Sequence, residues 1–376
     1  MSRFCSKSVG VGLWLRGLFA IFVAMNWQIN FFKDMIRKRS YIAIVIAAVI
    51  GVLALLLSRR APVYQMSMGM VWTTEYHITY ESSKNLNDSI VAVFNRIDKS
   101  ASVFNDRSLI SGINDGRTDS VDDIIERIYT TATQVYKVSE GLYDPTVMPL
   151  VRIWGFGKDI TRPPTRAVID SMLQVVGLDK TRIVNHRMVR DNPGTKFDFS
   201  SIAKGLACDM VAEALRRNGV TNYMVEIGGE VVSAGVNKAG KPWHVSVDAP
   251  IESDPAGDSV NHTPVLVLDG TDVAIATSGN YRRYKALGPD KRVGHIVNAV
   301  TGNAEPTDVL SATVIASSCV VADAWSTACV AMGAEMTKGI MERCDTLGVM
   351  LITGDAEGGF KVWSNKRFAG AVVGMP

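Results

Sequence analysis

The sequence predicts an α+β domain, with mixed or antiparallel sheets and interspersed helices, preceded by a short export or membrane-anchor segment. Three observations lead there. Apolar stretches of strand length follow one another in consecutive runs through the second half of the chain. Helical patterns fall between them irregularly, not one for one as a parallel α/β sheet requires. The first 60 residues hold nine Lys or Arg against one acid, Asp34, whereas the remainder carries 31 basic against 36 acidic side chains. That net of −5 makes the body a poor nucleic-acid binder, because such binding rests on phosphate neutralisation. With 376 residues, 47% of them hydrophobic, and no internal linker, one continuous domain over 61–376 is the simplest organisation.

Arg37, Lys38 and Arg39 lead into an uncharged run from Tyr41 to Ser58, just long enough to cross a bilayer. The basic lead stays cytoplasmic under the positive-inside tendency, so the body is expected outside the cytoplasm, anchored to the membrane on the periplasmic side. "ALLLSRR" is not a clean cleavage site, which favours an anchor over a removed signal. Four cysteines lie in the body, Cys208, Cys319, Cys329 and Cys344, without the close pairing of a zinc site. A disulfide is open to an exported domain, but the sequence does not choose the partners.

"MSMGMVWTTEYHITY" alternates as a strand entering the domain, and "LNDSIVAVFNRIDKSAS" has Ile90, Val93, Phe94 and Ile97 at helical spacing. A second helix starts near Ser120 and stops at Gly141. "DPTVMPLVRIWGFG", interrupted by two prolines and two glycines, is expected as a fixed loop. "TRAVIDSMLQVVG" is a short helix, and another runs from about Ile202 to Asn218, closed by Gly219. "NYMVEI", "EVVSAGV", "WHVSVDAP", "PVLVLDG", "VAIATSG", "GHIVN" and "SATVIA" are strands. "CVVADAWSTACVAMG" is helical, and "LGVMLITGDAEGGFKVW" is a hairpin.

Chemistry concentrates in five places. "KFDFSSIAKGL" gathers Asp198, Ser200, Ser201, Lys204 and Gly205 at one helix mouth. A serine there can simply cap the helix. Alternatively, open N–H groups and Lys204 face a phosphate, with Gly205 letting the backbone approach it. Gly228-Gly229 in "VEIGGEV" marks a turn, or backbone open to a flat ring or phosphate. Thr277, Ser278 and Gly279, followed by Arg282 and Arg283, suit a phosphate or ribose as well as a plain turn. His295 in "GHIVNAVTG" is one of five histidines, set among apolar neighbours in an expected strand. Most informative is "ADAWSTA": Asp323, Ser326 and Thr327 at i, i+3 and i+4 share one face of an otherwise apolar helix. A buried carboxylate is costly unless neutralised, and an oxygen-only set with one carboxylate suits Mg²⁺.

In their order, "YDPTVMPLVRIWGFG", "DFSSIAKGLACDMVAEALRRNGVTNYMVEIGGEV", "ATSGNYRRY", "GHIVNAVTG" and "SATVIASSCVVADAWSTA" resemble the ApbE family of FAD:protein FMN transferases, from about Met68 to the C-terminus. The resemblance implies a single ApbE-like domain that splits FAD, joins FMN to a Thr or Ser hydroxyl of a target protein, and releases AMP with Mg²⁺. Carried over by position, it implies nucleotide contacts at Met68, Phe104, Leu142, Tyr143, Asp144, Asp198, Lys204 and Val297. Metal contacts fall on Ser201, Asp323, Ser326 and Thr327, and His295 or Asp144 is the group taking the acceptor's proton. Two departures stand out. The family often has "His-x-x-Asp-Pro" where this chain has Asn298-Ala299 after His295, and often a tyrosine at Phe104. The acceptors implied are exported redox-complex subunits or flavin-carrying reductases. Two other readings use the same residues: an FAD pyrophosphatase giving FMN and AMP, and a membrane-tethered FAD-binding protein without activity.

Overall fold

The structure is a computed structural model that describes residues 63–156, 162–250, 264–279, 284–286, 292–355 and 359–374, and before them 24–28, 33, 35, 38 and 40–52. The chain divides into two units, 1–62 and 63–376, and the sheets and the site belong to the second. Among the described residues no helix is long and apolar enough to cross a membrane. Of the expected span, residues 41–52 are helical and 53–58 lie outside the described residues.

In chain order the strands are β1 (Tyr64–Val71), β2 (Thr74–Glu81), β3 (Thr181–Val184), β4 (Arg187–Arg190), β5 (Tyr223–Ile227), β6 (Glu230–Ala234), β7 (His244–Asp248) and β8 (Pro264–Asp269). Then come β9 (Ala274–Gly279), β10 (Tyr284–Ala286), β11 (Arg292–Gly294), β12 (Val309–Ala316), β13 (Gly348–Gly354), β14 (Phe360–Ser364) and β15 (Val372–Gly374). The helices are α1 (Asn87–Ala101), α2 (Leu109–Asn114), α3 (Asp123–Val138), α4 (Met148–Ile153), α5 (Arg166–Leu173), α6 (Ala203–Arg217), α7 (Cys319–Met341) and α8 (Lys366–Ala369). Eight strands form one sheet in the order β1-β2-β5-β6-β9-β12-β13-β14, and every neighbouring pair is antiparallel.

Side-chain alternation along these strands builds two cores, one on each face. Val232, Ala274, Ala276, Ala312, Val314, Val349 and Leu351 face α6, α7 and the other helices in the main core. Their neighbours Val231, Ile275, Ile315, Met350 and Ile352 face the other way, against Val247, Leu266 and Leu268 of the small sheet β15-β8-β7. A third cluster joins Leu150 and Trp154 to Ile169, Val293, Val297 and Ala304.

Several expectations are corrected. The first predicted strand is a hairpin, β1–β2, whose turn holds Trp72 and Thr73 at φ 48° and 64°. No Gly or Asn announces that turn, which is why the pattern reads as continuous. A second hairpin, β3–β4, turns through Asn185 and His186 at φ 50° and 57° and was not predicted. The second predicted helix begins at Asp122, whose side chain accepts from Ile125 N–H, not at Ser120. The expected fixed loop contains α4, because Pro149 stands in its first turn, where no helical hydrogen bond is lost. "GHIVN" is not a strand of the main sheet: β11 pairs with β10 and ends at Gly294, leaving His295 in a loop.

Candidate active site

α6 and α7 meet at their N-termini, and neither caps itself. The N-cap positions, Ile202 and Ser318, make no side-chain capping bond. Each helix instead lends a carboxylate to the other. Asp323 Oδ2 accepts from Gly205 N–H at 2.9 Å, and Asp209 accepts from Cys319 and Val320 N–H at 2.8 and 2.9 Å. Anionic groups belong at helix N-termini, where open N–H groups carry partial positive charge. The helices come this close because Gly205 has no side chain: a Cβ there would lie 2.3 Å from Cys319 O and 2.7 Å from Asp323 Cβ. Gly205 therefore serves helix packing, not the approach of a ligand to the backbone.

Lys204 precedes that glycine and ion-pairs with Glu230. Glu230 opens β6 on the sheet face shared with Val232, so it points at α6, and it is only 2% exposed. Burial works against the Lys204 charge, but Glu230 and then Asp323 outweigh it and push the ammonium pKa up. Asp323, also 2% exposed, is pushed up to about 8 by burial and then by Glu230, against the pull of Lys204 and the Gly205 N–H. Two buried carboxylates thus face one lysine, and Asp323 Oδ1 has no hydrogen-bond partner among the described residues. Such a charge is costly unless a cation joins it.

The hydroxyls predicted on the Asp323 turn are present, with one more from the sheet. Ser326 is fully buried and its Oγ donates to Asp323 O at 2.9 Å. Ser278 Oγ, from β9, lies 2.8 Å from Ser326 Oγ and 3.0 Å from Thr327 Oγ1. The "ATSG" stretch therefore reaches this cluster through Ser278; residues 280–283, with Arg282 and Arg283, lie outside the described residues. Ser201 turns to a neighbouring group, donating to Tyr143 Oη at 3.3 Å. Tyr143 is buried, and burial, with Asp323, Asp144 and Asp198 nearby, pushes its hydroxyl pKa up against that hydrogen bond.

Other predicted residues occupy different places. Asp144 is fastened into its own loop: Oδ1 accepts from Thr146 N–H and Oγ1, both at 2.7 Å, and Oδ2 from Leu178 N–H at 3.0 Å. Asp198 Oδ1 accepts from Ser200 N–H and Oγ at 2.9 and 2.6 Å, so Ser200 closes a turn and does not cap α6. Leu142 packs half-buried on the main core, and Phe104 stands 86% exposed after α1. Met68 pairs across the sheet with His77, His77 with Glu226, and Glu226 with Val231, which puts its side chain on the face opposite Glu230. His295 meets the Phe156 ring edge-on at 6.4 Å, between buried Val293 and Val297 of the third cluster. Asn298, three residues after His295, accepts from Val300 and Thr301 N–H at 3.0 and 2.8 Å. Its side chain closes the turn. Glu230 is the site residue that the sequence does not flag: the two glycines before it dominate the local pattern, and only the strand register shows that it faces α6.

An eight-stranded antiparallel sheet with an ion-paired lysine and an oxygen-lined acidic turn at the meeting of two helices defines the class. The ApbE family model matches residues 68–351. The FAD:protein FMN transferase of Escherichia coli K12 is 30% identical over 82% of this chain and 88% of its own length. That of Vibrio cholerae O395 is 31% identical over 84% of this chain and 95% of its own. The solved flavin transferase ApbE from Vibrio cholerae superposes with a TM-score of 0.73 at 29% identity, covering 82% of this chain and 99% of that one. The apo flavinyl transferase ApbE of Pseudomonas stutzeri gives 0.74 at 25% identity, covering 84% and 99%. This chain belongs to the ApbE family.

Proposed function

We propose that this chain is a Mg²⁺-dependent FAD:protein FMN transferase acting on exported acceptor proteins from a membrane-tethered body. Family membership supports the reaction. The observation that carries the site is the packing of Lys204, Glu230 and Asp323 at one helix junction with the Ser278, Ser326 and Thr327 hydroxyls.

The donor set fits a hard divalent cation: one buried carboxylate with an open oxygen, and hydroxyls without sulfur or imidazole. Asp323, Ser326 and Thr327 would hold Mg²⁺, with Ser201 at the rim, and Mg²⁺ would supply charge neutralisation on the diphosphate oxygens. Lys204, kept charged by its carboxylate neighbours, binds and orients the same diphosphate. The acceptor Thr or Ser oxygen attacks the FMN phosphorus, the phosphorus–oxygen bond to AMP breaks, and AMP leaves. Asp144 is committed to Thr146 and Leu178, so the acceptor's proton goes to His295, while Asp144 fixes the loop that carries Leu142 and Tyr143. Phe104, Met68, Asp198 and Val297 complete the nucleotide contacts by family correspondence.

The test incubates the full chain with FAD and Mg²⁺, with and without a candidate exported target, and follows AMP release and target mass. The expected result is an added FMN on a target Thr or Ser, with AMP in equal amount. FMN freed at full rate without target makes the protein a pyrophosphatase. Tight FAD binding that survives chelation, with no AMP, makes it a carrier.

A further inference from the structure

Gly205, Cys208 and Asp209 stand at i, i+3 and i+4 of α6, so they share one face. That face meets the first residue of α7. The Gly205 position presses on Cys319 O, and Asp209 holds the Cys319 N–H at 2.8 Å, which leaves Cys208 beside Cys319. The sheet agrees. Cys208 Sγ donates to Glu230 O at 3.3 Å and Cys319 Sγ to Ile275 O at 3.6 Å. Val231, next to Glu230, pairs directly with Ile275, so the two thiols point at carbonyls on adjoining strands. Both are fully buried free thiols.

Buried free cysteine commonly serves as a small apolar side chain. Cys329 fits that description, buried in the main core. Cys208 and Cys319 differ because they stand side by side on facing helices, from positions about 110 residues apart, where a covalent link closes a long loop. We propose that Cys208 and Cys319 are a disulfide-forming pair that ties α6 to α7 beneath Lys204 and Asp323. Two S–H bonds break and one S–S bond forms. The electron pair and both protons pass to the disulfide of the oxidant, of the glutathione class, which is cleaved to two thiols. Burial pushes both folded thiols up and keeps them protonated, so the bond forms before the helices close over them. Once made, it fixes the spacing between the lysine and acidic-turn halves of the site.

The test unfolds the full chain and refolds it across ratios of oxidised to reduced glutathione. Free thiols are then blocked with iodoacetamide under denaturing conditions, and the protein is digested without reduction. The expected product is a peptide linking Cys208 to Cys319, with Cys5, Cys329 and Cys344 alkylated. Reductant should lower the Tm of the oxidised protein by roughly 5 °C, and Cys208→Ala should abolish that sensitivity. Alkylation of both Cys208 and Cys319 at every ratio, or a linked peptide joining other cysteines, overturns the proposal. The mapping uses the unaltered chain and needs no turnover, so it stands apart from the fate of the transferase reading and from any folding defect of the variant.

Discussion

Asp323 has two tasks that one substitution can separate. Its Oδ2 caps α6 through Gly205 N–H, and its charge is the acidic member of the proposed cation site. Asp323→Asn keeps an oxygen that can accept the Gly205 N–H and loses the charge. It should abolish AMP release while denaturant unfolding shifts little. Asp323→Ala loses the cap too, so it should unfold about 1 kcal/mol more easily than the asparagine variant. Equal turnover in Asp323→Asn and the parent protein would remove the carboxylate from the site. Asp144 supplies a pH test. Burial raises its folded pKa from 3.8 to about 6, despite hydrogen bonds from Thr146 and Leu178. The folded protein then holds a proton that the unfolded chain has already lost between those values. Its contribution to stability is therefore complete below about pH 4 and gone above about pH 6, a difference of about 3 kcal/mol. Subtracting the unfolding free energies of Asp144→Asn from those of the parent over that window should reveal the slope; a flat difference would show that Asp144 titrates normally.

At the scale of elements, the site is a junction of two helices that complete each other's first turns. Gly205 permits that junction. Gly205→Ala places a methyl against Cys319 O, at a spot where neither helix backbone can yield cheaply. The expected cost is about 1–3 kcal/mol in denaturant unfolding, together with a raised Mg²⁺ requirement, because Lys204 and Asp323 are pushed apart. Lys204→Met leaves Glu230 buried without its cation and should cost about 3–5 kcal/mol, most of it recovered when Glu230→Gln is added. Near-additive losses in the double variant would mean that the pair does not interact. The β1–β2 turn holds strain of its own, since Thr73 is β-branched at φ 64°. Thr73→Gly should stabilise the body by about 1 kcal/mol in the same assay.

Across the whole molecule, the sheet separates a helix-covered face, which holds Lys204, Glu230 and Asp323, from a face covered in part by the small sheet β15-β8-β7. Placement of the body outside the cytoplasm is tested by adding protease to cells whose outer envelope has been opened. The full chain should lose its body to external protease, and protection until the inner membrane is lysed would place it inside. Much of this plan was legible beforehand. Most strands and the longer helices follow hydrophobic period, and "ADAWSTA" announced its oxygen face through i, i+3, i+4 spacing. The β1–β2 turn was not legible, because Trp72 and Thr73 carry no turn signal although the tight hairpin needs positive φ at both. Nor was Glu230, whose direction depends on register with β5 and β9.

The sequence by itself determined the family, the alternation that gives the sheet two faces, and the placing of Asp323, Ser326 and Thr327 on one side of a helix, since local periodicity and spacing are properties of the chain alone. Only the tertiary structure decided which residues from distant segments meet: Lys204 with Glu230, Ser278 with Thr327, Asp209 and Asp323 each at the other helix's N-terminus, and Cys208 beside Cys319. These contacts arise from strand register and from the close approach that Gly205 allows. Neither can be read from neighbours along the chain.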